Sequence, residues 1–140
     1  MKFMPAEYFI DTNILLYGYD LDSPEKRLVA QKIIEQAWLK PGSHAISVQV
    51  LQEFYVNFVR KGHSNKTALS LMNDFYQWPV VDNTITLFQL GLTFQELWKL
   101  SLWDSMILAA AHASGARELL TEDLNHGQQY GKVRAVNPFV

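Results

Sequence analysis

Four acidic side chains, Asp11, Glu53, Asp104 and Asp123, stand at positions from which the chain could gather them into one site. Asp11 directly follows Tyr8-Phe9-Ile10, a short run of β-formers, and Asp123 lies two residues beyond Thr121, again just past a short strand-like run. Open parallel sheets carry their sites at the carboxyl ends of strands, so two such strands side by side would deliver both acids to one edge. Asp104 opens a helix that is apolar nearly all round, with Ile107 and Leu108 one turn on, where a carboxylate is costly unless paired or coordinated. Glu53 flanks the apolar arc of another helix, beside Gln49 and Asn57.

Each acid alone has an ordinary role open to it. Asp is a common turn former, Ser101 with Asp104 resembles a capping box, and a boundary Glu is usually solvated. As a set they repel one another, and a hard divalent cation with oxygen ligands offsets that repulsion. Mg²⁺ or Mn²⁺ suits this donor set, because the chain has no Cys and His44, His63, His112 and His126 lack a zinc spacing. The chemistry such a cluster best supports is phosphoryl transfer, with the cation activating water and stabilising charge on phosphate oxygens.

The elements that must position these acids alternate. Strands are expected at Tyr8-Phe9-Ile10, His44-Ala45-Ile46, Pro79-Val80-Val81-Asp82, Glu118-Leu119-Leu120-Thr121 and Lys132-Val133-Arg134-Ala135-Val136. Between them, Ser23 as N-cap and Pro24 at the first turn start a helix to about Trp38, with Leu28, Ile33, Ile34, Ala37 and Trp38 on its apolar side. Ser47 caps a helix whose Val50, Leu51, Phe54, Tyr55 and Phe58 form a broad apolar arc, and Gly62 closes it after Arg60-Lys61. Helices follow from Asn65 to Gln77 and from about Thr84 to Lys99, the latter burying Ile85, Phe88, Leu92 and Leu97, and the last runs from Ser101 to a stop at Gly115. The alternation predicts an α/β layer structure on a mainly parallel sheet of about five strands.

With 140 residues, 49% hydrophobic and 19% charged, the chain can bury one core and has nothing for a linker to join, so one domain over 1–140 is expected. A formal charge of −2 argues against a non-specific nucleic-acid or membrane binder. The densest cationic cluster is Arg60, Lys61, His63 and Lys66, which could touch phosphates beside a cleft or simply be solvated. No interleaving of aromatic and basic residues for stacking single strands is apparent. Glu7 and Asp11 break any signal-peptide core after Met1-Lys2-Phe3-Met4-Pro5, and Met106 to Ala111 is far shorter than a bilayer span, so a cytoplasmic protein with no membrane partner is expected.

At these residues the sequence resembles the PIN-domain ribonucleases, most closely the VapC-type toxins of toxin–antitoxin pairs. Phe9-Ile10-Asp11-Thr12-Asn13-Ile14-Leu15-Leu16-Tyr17 is similar to the family's first motif, Gln52-Glu53-Phe54-Tyr55 to the second acid's helix, and Leu102-Trp103-Asp104-Ser105-Met106-Ile107 to the third's. Leu119-Leu120-Thr121-Glu122-Asp123-Leu124 with Gly127-Gln128, closing in Val136-Asn137-Pro138-Phe139, is similar to its terminal motif. The resemblance implies a compact, three-layer α/β/α sandwich that cleaves RNA phosphodiesters with Mg²⁺ or Mn²⁺, leaving 5′-phosphate and 3′-hydroxyl ends. It implies Asp11 and Asp104 as main metal ligands, Asp123 and Glu53 completing the site, and Asn13 and Thr121 orienting the carboxylates. It further implies an antitoxin partner and a homodimer. The alternatives are a free-standing RNA-processing nuclease and a non-catalytic binding or scaffold domain. A haloacid-dehalogenase phosphatase would need a second Asp where Asn13 stands, and a receiver domain would need paired acids after the first strand.

Overall fold

The computed structural model describes residues 5–140; residues 1–4, part of the segment weighed above as a signal core, lie outside it. In chain order the elements are β1 (Tyr8–Ile10), α1 (Thr12–Tyr17), α2 (Pro24–Leu39), β2 (His44–Ser47), α3 (Val48–Arg60) and α4 (Asn65–Phe75). There follow β3 (Val80–Val81), α5 (Ile85–Trp98), α6 (Leu102–Ser114), β4 (Glu118–Leu120), β5 (Gln129–Tyr130) and β6 (Val133–Val136). The sheet runs in the order β3-β2-β1-β4-β6-β5 and is parallel except for β5, which pairs antiparallel with β6. It thus has six strands where the sequence indicated about five, the addition being a two-residue edge that propensity cannot register.

Chain direction across the sheet explains the layers. From β1 the chain steps to β2 and then β3, and it returns past β1 to β4. Right-handed crossovers put the helices of the outward steps on one face and those of the return, α5 and α6, on the other. α6 touches β1, β2, β3, β4 and β6 from its side, while α1 packs on α2 and α3, and α3 on α4. Its stretch Ser105 to Ala111 is buried throughout, which is why that helix is apolar on every side.

Local chemistry sets the helix ends. The side chains of Ser47, Ser64, Thr84 and Ser101 each accept a hydrogen bond from the backbone N–H three residues on. Ser23 does not: its hydroxyl makes no cap bond, and Pro24 at the first turn starts α2 instead. α1 went unread in the sequence because six residues are too few to show a helical period.

Two apolar faces differ from the expectation. Leu28 and Trp38 on α2 are exposed, while Ala30 and Ala37 are the residues buried there. On α5, Ile85, Phe88, Leu92 and Leu97 are 78%, 45%, 41% and 62% exposed, and the buried side is Leu87, Gly91 and Phe94. That helix carries apolar residues on both sides, and close approach decides between them. A Cβ on Gly91 would run into the Met106 sulfur of α6, so the glycine face is the one α6 can reach.

Gly115 ends α6 in the left-handed region, at φ 82°, and a Cβ there would lie 2.5 Å from Cβ of Pro5. We expect Gly115→Ala to lower stability by about 1–2 kcal/mol from the backbone alone, more if Pro5 cannot move, as read by denaturant melts.

Candidate active site

The reversal of strand order falls between β1 and β4, which are parallel neighbours with Ile10 opposite Leu120. Loops leaving such a point diverge to opposite faces and open a crevice at the carboxyl ends. Asp11 and Thr121 are the first residues beyond those paired ends. The Asp11 N–H still bonds the Leu120 carbonyl, so the ladder holds the acid's backbone up to the crevice.

Asp11 is the N-cap of α1 and only 5% exposed. The Thr12 N–H donates to Oδ1 at 2.7 Å and the Thr121 hydroxyl to Oδ2 at 2.8 Å. These donors favour the charged form, but burial outweighs them, and the nearby charges of Asp123 and Glu53 add to it; the carboxyl is pushed up to about 7. The same Thr121 oxygen accepts the Asp123 N–H at 3.1 Å, so one buried hydroxyl ties the two acids together.

Asp123 lies at the solvent edge, where Asn13 Nδ2 donates to its Oδ2 at 2.9 Å. Partial burial of its carboxyl, then the charges of Asp104 and Glu122, raise its pKa, and a hydrogen bond with Asp11 opposes them. Behind it, Glu122 accepts from the Tyr17 hydroxyl at 2.6 Å and from Lys26 Nζ at 3.0 Å, and Lys26 also lies over the Tyr17 and Phe139 rings. This clamp binds the loop after β4 to α1, α2 and the C-terminal segment.

Glu53 reaches the crevice from α3. The Thr12 hydroxyl donates to its Oε1 at 2.7 Å, and Gln49 Nε2 stands 3.4 Å from Oε2. Asp104 enters from the first turn of α6, where its N–H donates to the Ser101 hydroxyl at 3.1 Å. The cap uses the backbone of Asp104 and leaves its side chain free to line the pocket, where its charge is felt by Asp123. All four line one pocket of about 140 Å³, together with Thr12, Asn13, Gln49, Asn57, Trp103 and Ile107.

Thr12, Gln49, Asn57 and Trp103 were not singled out in the sequence. Gln49, Glu53 and Asn57 recur every four residues on one face of α3, which is a readable signal; Trp103 had none beyond adjacency to Asp104. Arg60, Lys61 and Lys66 line no part of this pocket. Lys61 sits 3.9 Å from Asp20 and borders a separate cavity of about 420 Å³ with Phe58 and His63, and Arg60 and Lys66 are exposed. A larger cavity of about 550 Å³ lies among Glu7, Arg117, Glu118 and Lys132, at the amino ends of β1 and β4 and so at the opposite end of the sheet from the acids.

Among the described residues, no three acidic or imidazole side chains are already drawn tightly enough to grip an ion. The donor set nevertheless fits a hard divalent cation: only oxygen ligands, four acids in one pocket, and two of them with raised pKa through mutual proximity as well as burial. Thr12 and Asn13 hold Glu53 and Asp123 by single hydrogen bonds, which rotation of either acid toward the pocket centre would exchange for a cation.

Because the folded chain raises the Asp11 pKa, ionising it costs stability as pH rises from about 4 through about 7. In chelator, Asp11→Asn should therefore melt above wild type at pH 8, by on the order of 2–4 kcal/mol, and the two should converge toward pH 4. Divalent cation should raise wild-type stability at pH 8 and leave the variant unchanged.

The model of the PIN domain matches residues 8–132 of the chain. No curated protein matches it in sequence. Among solved structures, a toxin–antitoxin complex from Klebsiella pneumoniae is similar with a TM-score of 0.68 and 23% identity, covering 94% of this chain and 98% of that one. DNA-bound VapBC from Salmonella typhimurium gives 0.67 and 17%, covering 93% and 96%. Mycobacterium tuberculosis VapC20, a Sarcin-Ricin loop cleaving toxin, gives 0.64 and 18%, covering 84% and 92%. With the family model spanning most of its length and the same fold in these structures, the chain belongs to the PIN domain family.

Proposed function

We propose that the protein is a divalent-cation-dependent endoribonuclease, the toxin of a type II toxin–antitoxin pair, acting in the cytoplasm as one nuclease domain over residues 1–140. The observation that carries the reading is the convergence of Asp11, Glu53, Asp104 and Asp123 in one pocket at the sheet's switch point. Membership of the PIN family and the likeness to toxin–antitoxin complexes support it.

In this reading Asp11 and Asp104 are the principal ligands of Mg²⁺ or Mn²⁺, and Asp123 and Glu53 complete the set directly or through water. The bound ion supplies an acidified water and charge stabilisation for the phosphate. Thr121 and Thr12 hold Asp11, Thr12 also holds Glu53, and Asn13 holds Asp123, so each acid presents an oxygen to the pocket from a fixed backbone. Water adds in line to the phosphorus and the P–O3′ bond breaks, leaving a 5′-phosphate and a 3′-hydroxyl. Burial that holds Asp11 near neutrality couples ion uptake to release of its proton.

Arg60, Lys61 and Lys66 serve the RNA outside the pocket, touching phosphates along its approach. The exposed Ile85, Phe88 and Leu92, which share one face of α5, support a homodimer, since such an apolar strip is better covered. The likeness to toxin–antitoxin complexes supports a cognate antitoxin; a free-standing RNA-processing enzyme would purify without one.

Asp104→Asn should reduce RNA cleavage at least about 100-fold while shifting stability by no more than about 1 kcal/mol, because the cap bond from its backbone is kept. Chelator should abolish wild-type cleavage, Mn²⁺ or Mg²⁺ should restore it, and the ion concentration needed should fall as pH rises through about 7. Undiminished cleavage by the Asp104 variant would overturn the assignment. Replacing Arg60 and Lys66 by Ala should flatten the salt dependence of single-stranded RNA binding by about 0.7 in log–log slope for each phosphate no longer neutralised, without altering ion affinity.

A further inference from the structure

Among the described residues, no lysine or arginine lines the carboxylate pocket. Its polar lining is four acids, Thr12 and the amides Asn13, Gln49 and Asn57, and Lys61 and His63 border a separate cavity. A substrate strand entering here finds no described basic side chain in the lining to grip its phosphates. What it does meet is Trp103, the one aromatic residue in the pocket lining among the described residues, on the rim beside Asp104.

Trp103 is 65% exposed, an unusual place for the largest apolar side chain. Its backbone is nevertheless fixed. Its carbonyl faces Gln49 Nε2 of α3 at 3.3 Å, the Ser101 hydroxyl caps the turn through the Asp104 N–H, and the Ser105 hydroxyl bonds the Ser101 carbonyl at 2.8 Å. A rigid first turn therefore projects a free indole face next to a catalytic acid. On a helix, Trp103 and Asp104 diverge by about 100°, so the ring flanks the acid without covering it.

We propose that Trp103 is the base-stacking platform of the active site, holding the nucleobase next to the scissile phosphate of a single-stranded RNA segment. The proposal rests on the nuclease reading and adds to it the group that binds substrate. Every nucleobase presents a π face, so stacking supplies affinity and register where an acidic pocket cannot draw the backbone by charge. The amides of Gln49 and Asn57 lie on the same rim, where base or ribose edges would pass. A single-stranded substrate is required, because a base inside a helix keeps its faces against its neighbours.

The test compares wild type, Trp103→Phe and Trp103→Ala on short mixed-sequence single-stranded RNA. Cleavage is read with Mn²⁺, and binding by anisotropy is read for each with Ca²⁺ in place of Mn²⁺, which keeps the four acids intact. Trp103→Ala should weaken binding and raise KM about 10-fold, with Trp103→Phe within about 3-fold of wild type and with Mn²⁺ affinity and melting temperature unchanged. Removing the base beside the cleaved bond should cost wild type the same factor and cost Trp103→Ala little more. Equal binding and KM for Trp103→Ala and wild type would overturn the proposal. So would an equal loss of Mn²⁺ affinity, which would mean that the residue acts through Asp104, or an effect confined to a protein partner. Absence of metal-dependent cleavage by wild type would overturn the nuclease reading instead, and the binding arm would still decide the platform.

Discussion

One buried carboxylate dictates much of what surrounds it. Asp11 leaves a central strand where the connections from β1 and β4 part, and it is held there by the Thr12 N–H and the Thr121 hydroxyl. Two donors do not compensate an anion that water cannot reach, and the group is left near neutrality. Its surroundings must therefore serve two states, the protonated and the ionised, of which only the ionised one can hold a cation. Thr121 suits both, since its oxygen accepts from the Asp123 N–H while its proton goes to Asp11. A residue unable to donate and accept at once would release one acid in holding the other.

From that constraint the packing follows. Glu53 and Asp104 come from helices on opposite faces of the sheet, so their separation is fixed by how deeply α3 and α6 seat. α6 seats closely because its inner stretch is Ser, Ala and medium aliphatics, and because Gly91 lets α5 approach from behind. α3 is set by Phe54 and Phe58, stacked with ring centroids 5.1 Å apart and met edge-on by Tyr19. The site lies between two well-packed helices and owes its shape to a core that shares only Ile107 with its lining.

Features that depend on a few neighbouring residues were legible in the sequence. The strand end before Asp11, the caps at Ser47 and Ser101, and the stop at Gly115 all rest on local hydrogen bonding or backbone preference. Asp11, Asp104 and Asp123 were legible because each sat where an acid was awkward or just past a strand, and Glu53, an ordinary boundary position on its helix, joined them through the motif resemblance. Features decided by packing at a distance were not. The buried side of α5 turns on one glycine meeting a methionine of the next helix, and a helix apolar on both sides offers no periodic clue. β5 exists only because β6 is there to pair with it. Trp103 read as one more apolar residue of a buried helix, and only the placement of α3 shows that its ring has no core to enter.

The electrostatics of the pocket tie these parts to function. A chain of formal charge −2 with four acids in one pocket repels RNA at the very place where cleavage is proposed. Cations fixed in the pocket would relieve this, but they would also pair with the acids and remove the ligand set. The arrangement instead separates the tasks. Charge is neutralised only when a divalent ion is loaded, the basic cluster lies beyond the pocket, and the remaining group at the rim is an uncharged ring. On the proposed reading, binding of RNA at the acids is conditional on the ion, so that the strand is drawn in only when the group that activates water is already in place.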